Sequence, residues 1–270
     1  MKICQPGNTN ILVGVFILPF LLISCVENSH PIHPSDSSAP QKLFLYCAAA
    51  MKPAIAKIAT QYTEKFDIEI NIQYGGSGTL LSNLRVTKIG DLYLAADQSY
   101  IEEAAKYELI QDVQALASIR PVIGVREGNP RQIKSLQDLT QETIKIALGN
   151  PQTASIGRQS QKLLQEAGLW DALQQNIVVL KPTVNDLAND LKIGAVDAVI
   201  IWNAISYQYP EIESITFPES NGYQKKVSLA VLKSTQNSSE AHRFLRYVST
   251  SDEVQAIFLE LGYQSVDKSL

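Results

Sequence analysis

The stretch Tyr74-Gly75-Gly76-Ser77-Gly78-Thr79 holds the residue types that most directly suggest chemistry. Its three glycines let backbone N–H groups approach a bound group closely. Ser77 and Thr79 add hydroxyls, Thr79 also as a helix cap, at what the pattern predicts is a positive helix start. Such a turn suits an anion, and it equally suits a plain structural turn, since short glycine motifs recur without function. A serine on a sharp turn between strand and helix is also the setting of a hydrolase nucleophile. That elbow requires a glycine where this chain has Thr79. His242 is the only histidine beyond residue 41 and falls on a polar patch of a predicted helix, so a base for Ser77 is not in evidence. No lysine follows the glycines, which excludes a nucleotide-phosphate loop.

Other candidates are weaker. A metal carrier would need clustered tyrosine, histidine or carboxylate ligands, and with eleven tyrosines composition alone does not exclude one. Tyr74 and Tyr93 fall near strand ends, but Tyr74 continues the apolar face of its strand and reads as core. Arg85 and Arg158 follow two turns and read as solvated or paired residues, and Asp97 and Asn150 read as caps.

The elements around the glycine turn follow from periodicity. Leu43 to Cys47 is a short apolar strand, and Pro53 stands in the first turn of a helix whose buried face carries Ile55, Ile58, Ala59, Tyr62 and Phe66. From Ile68 to Tyr74 the period is two, which marks the strand that delivers the turn. A helix from Thr79 to Lys88, a strand over Asp91 to Ala96 and a helix to Tyr107 follow. After Ile110 the pattern pauses, then Pro121 to Val125 opens a second unit. It has strands at Ile144–Leu148, Ile177–Leu180 and Ala195–Ile201, and helices after Ile156 and after a cap at Thr183 or Asn185. A polar segment between Pro210 and Pro218 precedes a returning strand at Lys226–Leu232. Two helices follow, the first capped by Ser238 or Ser239. Alternating strands and helices imply a mostly parallel sheet covered on both faces, with ligands at the carboxyl ends of its strands.

The chain has 270 residues, 45% hydrophobic and 19% charged, which is ordinary globular composition and allows a sizeable core. A net charge of −4 without a basic cluster argues against a nucleic-acid partner, though not against one small anion held by local donors. Lys2 precedes an apolar run from Ile11 to Ile23, the length of an export signal and short of a membrane span. It ends in Leu22-Ile23-Ser24-Cys25, which resembles a bacterial lipobox. Residues 1–25 are therefore expected to be a lipoprotein signal with Cys25 lipidated, and residues 26–41 a flexible tether. With Cys4 removed and Cys25 acylated, Cys47 would stand alone, so no disulfide framework is expected.

From about residue 42 to 266 the chain resembles the periplasmic molybdate-binding proteins of ABC importers. The resemblance rests on several segments in order: Leu45-Tyr46-Cys47-Ala48-Ala49-Ala50-Met51, Gly76-Ser77-Gly78-Thr79-Leu80, Gly90 to Gln98, Gly149-Asn150-Pro151 with Gly157, Gly168-Leu169-Trp170-Asp171, and Phe217-Pro218-Glu219. It implies the type II two-lobed periplasmic-binding-protein fold, each lobe a mostly parallel sheet flanked by helices, joined by two crossing strands. Lobe one would comprise residues 42–118 with 224–270, and lobe two residues 119–223. It further implies a monomeric carrier, not an enzyme and without cofactor, that closes on a small oxyanion and meets a membrane permease, held at the cell envelope through Cys25.

Carried over by position, the family's anion contacts fall on Met51, Ser77, Ile156, Val184 and Trp202. Ile156 and Val184 would act through backbone N–H groups. Met51 stands where the family has a serine hydroxyl, and Trp202 replaces a tyrosine hydroxyl by an indole N–H. None of the five is Asp or Glu, as a fully ionised oxyanion such as molybdate or tungstate requires. A hydrogen bond lost to a buried dianion costs roughly 1.5–3 kcal/mol. The two replacements therefore leave open another anion, a small organic acid or a metal ion on the same fold.

Overall fold

The computed structural model describes residues 42–266; the expected signal, the tether and Cys25 lie outside the described residues. β1 (Lys42–Ala48), α1 (Lys52–Phe66), β2 (Glu69–Gly75), α2 (Ser77–Thr87), β3 (Leu92–Ala95) and α3 (Gln98–Lys106) alternate as the periodicity requires. β4 (Ile110–Ile119) and β5 (Pro121–Arg126) follow, with Arg120 alone between them. Then come β6 (Ile146–Gly149), α4 (Ser155–Glu166), α5 (Trp170–Leu173), β7 (Ile177–Lys181), α6 (Val184–Lys192), β8 (Ala198–Trp202) and β9 (Ile212–Ile215). β10 (Lys225–Leu232), α7 (Ser238–Thr250) and α8 (Asp252–Glu260) complete the order.

The strands form two five-stranded sheets, ordered β2-β1-β3-β10-β4 and β7-β6-β8-β5-β9. β1 runs parallel to β2 and β3, and β6 parallel to β7 and β8. The strand in fourth place is reversed in both: β10 lies antiparallel to β3 and β4, and β5 antiparallel to β8 and β9. The sheets are mostly parallel, as expected from alternation, each with one reversed strand. The chain leaves the first sheet through Arg120 and returns between β9 and β10.

Two strands escape the periodicity. β4 occupies the apparent pause after Ile110, and β9 lies inside the polar segment between Pro210 and Pro218. Both stand at sheet edges, where one face meets water, so Gln111, Asp112, Glu213 and Ser214 are exposed and mask the strand pattern. Two helix starts also differ. α2 begins at Ser77 with Gly76 as N-cap rather than at Thr79, and α7 begins after Asn237 rather than Ser238 or Ser239, neither with a side-chain cap. Asp97 and Thr183 do cap, accepting from the N–H groups of Ser99 and Asp186.

The first sheet is covered on both faces. Ile55, Ile58, Tyr62, Phe244 and Val248 pack on one side, and Leu80, Leu84, Tyr100 and Ile101 belong to the cluster on the other. Each such side chain, fully buried, contributes about 1.5–3 kcal/mol. Cys47 is buried in β1, and burial pushes its thiol well above the ordinary cysteine range, so it is a core residue rather than a reactive one.

Candidate functional site

Strand ends and helix starts from both sheets meet at one small cavity. The first sheet contributes Ala48, Ala49 and Ala50 after β1, the turn Gly75-Gly76-Ser77, and Ala96 after β3. The second contributes Ala154, Ser155 and Ile156 at α4, Thr183 and Val184 at α6, and Trp202 at the end of β8. The cavity is small, about 10 Å³, the room of roughly one water molecule. None of its 13 lining residues is ionisable.

Three helices begin at this cavity. The first N–H groups of a helix have no intrahelical acceptor, and each start carries roughly half a positive charge. Among the described residues, no carbonyl outside the helices takes the N–H of Ser77, Ile156 or Val184. Ser77 is 1% exposed, and its hydroxyl accepts from the Ala96 N–H at 3.3 Å, which leaves the hydroxyl hydrogen free to donate. The Ser77 carbonyl is held from behind by the Tyr93 hydroxyl at 2.9 Å, a phenol whose pKa burial pushes well up. The Trp202 Nε1–H is buried without an acceptor. An unpaired buried N–H costs about 1–3 kcal/mol.

Four of the five sequence-derived positions, Ser77, Ile156, Val184 and Trp202, line the cavity, and Met51 does not. Met51 is the N-cap of α1 with its side chain packed in the core, and the alanines before it form that wall. Sequence reasoning missed Ser155, whose position as the first residue of α4, just after the Gly149-Asn150-Pro151 turn, was the available signal. Thr183 also lines the cavity, but its hydroxyl is committed to the Asp186 carboxylate at 2.6 Å.

The cleft is closed. A Cβ on Gly76 would lie 2.2 Å from the Thr153 carbonyl oxygen and 2.5 Å from that of Pro182, and one on Gly78 would lie 2.3 Å from that of Gln152. Only glycine allows this approach. The N–H groups of Gly78 and Thr79 both donate to the Thr153 carbonyl, at 3.0 and 3.4 Å. Nearby, Gln159 donates to the Asp97 carboxylate at 2.5 Å, and Arg158 pairs with Glu103 at 3.2 Å while lying over the Tyr100 ring. Arg158 and Asp97 therefore join the two halves and stay out of the cavity. Arg85 stacks on Tyr107, and Asn150 accepts from the Gln152 N–H.

The rival chemistries lack their parts. His242 pairs with Asp112 and the Ser238 carbonyl and is not among the cavity residues. Among the described residues no group of three or more His, Cys, Asp or Glu could hold a metal ion.

The chain is similar to several known proteins. A Bacillus subtilis protein, YvgL, named as a candidate ABC transporter substrate-binding lipoprotein, is 26% identical over 250 residues, covering 90% of this chain and 94% of its own. The molybdate-binding protein ModA of Mycobacterium tuberculosis is 24% identical over 235 residues, 85% of this chain and 88% of that one. The solved Azotobacter vinelandii periplasmic molybdate-binding protein superposes with a TM-score of 0.72 at 21% identity, covering 83% of this chain and 100% of that one, and has the same two-lobed fold. Residues 43–264 match the family model for bacterial extracellular solute-binding proteins, a family of binding proteins and not of enzymes, and the chain belongs to that family.

Proposed function

We propose that this solute-binding protein captures a small, fully ionised tetrahedral oxyanion, molybdate or tungstate first, and presents it in the closed cleft to the membrane permease of an ABC importer. The observation that carries this reading is a buried cavity furnished with donors and free of carboxylates: the Ser77 hydroxyl, the Trp202 indole N–H, and the helix starts at Ser77, Ile156 and Val184. Ionised oxyanions carry acceptors only, and helix N-termini bind them whatever the net charge of the protein. A phosphate bearing a proton would want an acceptor, which no lining side chain supplies by ionisation. At the first wall the cavity is lined by Ala48, Ala49 and Ala50, and Met51 stands behind them in the core. In this proposal lobe one comprises residues 42–118 and 224–270, lobe two residues 119–223, and Cys25 carries the anchor that keeps the carrier at the envelope.

The test is to heat purified residues 26–270 with molybdate, tungstate, sulfate, phosphate, small organic acids and divalent metals. A ligand at 100 times its Kd stabilises the folded state by about 2.7 kcal/mol and raises Tm. Molybdate and tungstate are expected to give the largest shifts. A shift with a metal or an organic acid and none with any oxyanion would overturn the reading.

A further inference from the structure

We propose that Asp97 and Gln159 are a pair of positioning residues: their hydrogen bond holds the two walls of the cavity together without touching the ligand. This rests on the cavity above being the ligand site. Gln159 Nε2 donates to Asp97 Oδ2 at 2.5 Å across 62 residues of sequence, from α4 beside the second sheet to the start of α3 beside the first. Asp97 is 1% exposed and Gln159 5%. Neither lines the cavity.

Each partner is joined to a residue that does. Ala96 lines the first wall, gives its N–H to the Ser77 hydroxyl at 3.3 Å and directly precedes Asp97. Ile156 lines the second wall and stands about one helical turn before Gln159 on α4. Parting Asp97 from Gln159 therefore moves one wall against the other.

The pair is built to be either joined and dry or parted and wet. Asp97 caps α3, and its Oδ1 is taken by the Ser99 N–H at 2.9 Å, so Oδ2 depends on Gln159. An ionised carboxylate only accepts, which commits the amide with Nε2 forward and leaves Gln159 Oε1 buried without a partner. Among the described residues no salt bridge reaches Asp97: Arg158 is spent on Glu103 and Ser99. Arg158, Lys162, Lys225, Lys226 and Glu102 line the open groove beside the pair, and the Tyr93 and Tyr100 phenols, kept neutral by burial, feel the carboxylate's charge. Leaving a buried carboxylate oxygen unpaired costs more than breaking an exposed ion pair. If Gln159 withdraws, water must enter in its place, so the bond favours fully joined walls over slightly parted ones.

Gln159→Glu sets a second carboxylate against Asp97. In calorimetric titrations with micromolar molybdate, it is expected to bind roughly a hundred-fold more weakly than wild type at about pH 8. It should regain roughly ten-fold at about pH 5.5, where the two carboxylates can share one proton. Adding Asp97→Asn swaps donor and acceptor, with the new amide oxygen left to cap Ser99, and should restore affinity to within about three-fold of wild type and remove the pH slope. A Gln159→Glu protein that binds as wild type does, or a double variant no tighter than the single, overturns the proposal. A readout without ligand keeps the anion reading separate. The Gly78 and Thr79 amides donate across to the Thr153 carbonyl, so they exchange with solvent when the walls part. In ligand-free Gln159→Glu they should exchange about ten-fold faster than in wild type while β1 amides do not, and equal rates overturn the proposal. Should that variant fail to fold, Gln159→Leu carries the exchange test with the same two outcomes. If wild type binds no oxyanion, the anion reading falls and the exchange rates alone decide this one.

Discussion

In the first sheet the strands that reach the cavity run out in Ala48, Gly75 and Ala96, and the one side-chain donor there is Ser77. In the second sheet the elements at the cavity carry the larger side chains Ile156, Val184 and Trp202 beside Ala154, Ser155 and Thr183. The two sheets share one plan, a reversed strand in fourth place, and still divide the work unequally. The first wall is pared to glycine and alanine so that the carbonyls of Thr153 and Pro182 can close over it; the second brings the volume that excludes water. In the proposed site most donors are main-chain groups, so side chains can change without emptying the donor set. The Met51 side chain lies in the core and takes no place in the wall.

The largest expected effect comes from spoiling the pared wall. Gly76→Ala would drive a methyl into two carbonyl oxygens, at roughly 3 kcal/mol for an overpacked contact that cannot relax, or about 100-fold in affinity. Small-angle scattering should then show the molybdate-treated protein still open; a closed, tight-binding variant would mean the approach is dispensable. Ser77→Ala removes a bond to a charged group, about 1.5–3 kcal/mol, and calorimetry should read a ten-fold to hundred-fold loss. A loss under two-fold would shift recognition to the second wall. Trp202→Phe deletes the unpaired indole N–H and should cost about ten-fold, since a neutral donor to a charged acceptor is lost without emptying the site. Arg158→Ala should be the mildest of the substitutions. Its pair with Glu103 is about one-third exposed at each end, so roughly 0–1 kcal/mol is at stake, and the difference should shrink in high salt. Smallest of all is pH. With no ionisable lining residue and Tyr93 held as a neutral phenol by burial, affinity for molybdate should stay flat from about pH 6 to 9, near-neutral conditions in which only groups such as histidine ordinarily titrate. A sloping profile would reveal a titrating group that the cavity does not contain.

What could be read from the sequence was whatever repeats or interrupts. The period-two run to Tyr74, the glycines after it, Pro53 in a first turn and the Asp97 cap are local signals, and each appears where it was expected. Of the positions carried over by resemblance, Ser77, Ile156, Val184 and Trp202 line the cavity, each at the end of a strand or the start of a helix. Side-chain direction was not legible: whether Met51 faces the cavity or the core depends on packing with the core around α1, which no spacing encodes. The edge strands β4 and β9 were hidden by their solvent faces. Arg158, Gln159 and Tyr263 act across 55 to 213 residues of sequence, so only the folded chain reveals their partners.

The strand order also fixes a sequence of events in time. Every strand of the second sheet lies within residues 121–215, whereas the first sheet cannot seat β4 until β10, residues 225–232, has arrived between β3 and β4. As the chain emerges from its amino end, the second sheet can complete itself while the first waits with β3 and β4 apart. Closing so distant a pairing is the slow step in folding. Pulse-labelling hydrogen exchange should therefore show amides of β6 and β8 protected before those of β4, and the reverse order would mean that the first sheet assembles around something other than its returning strand.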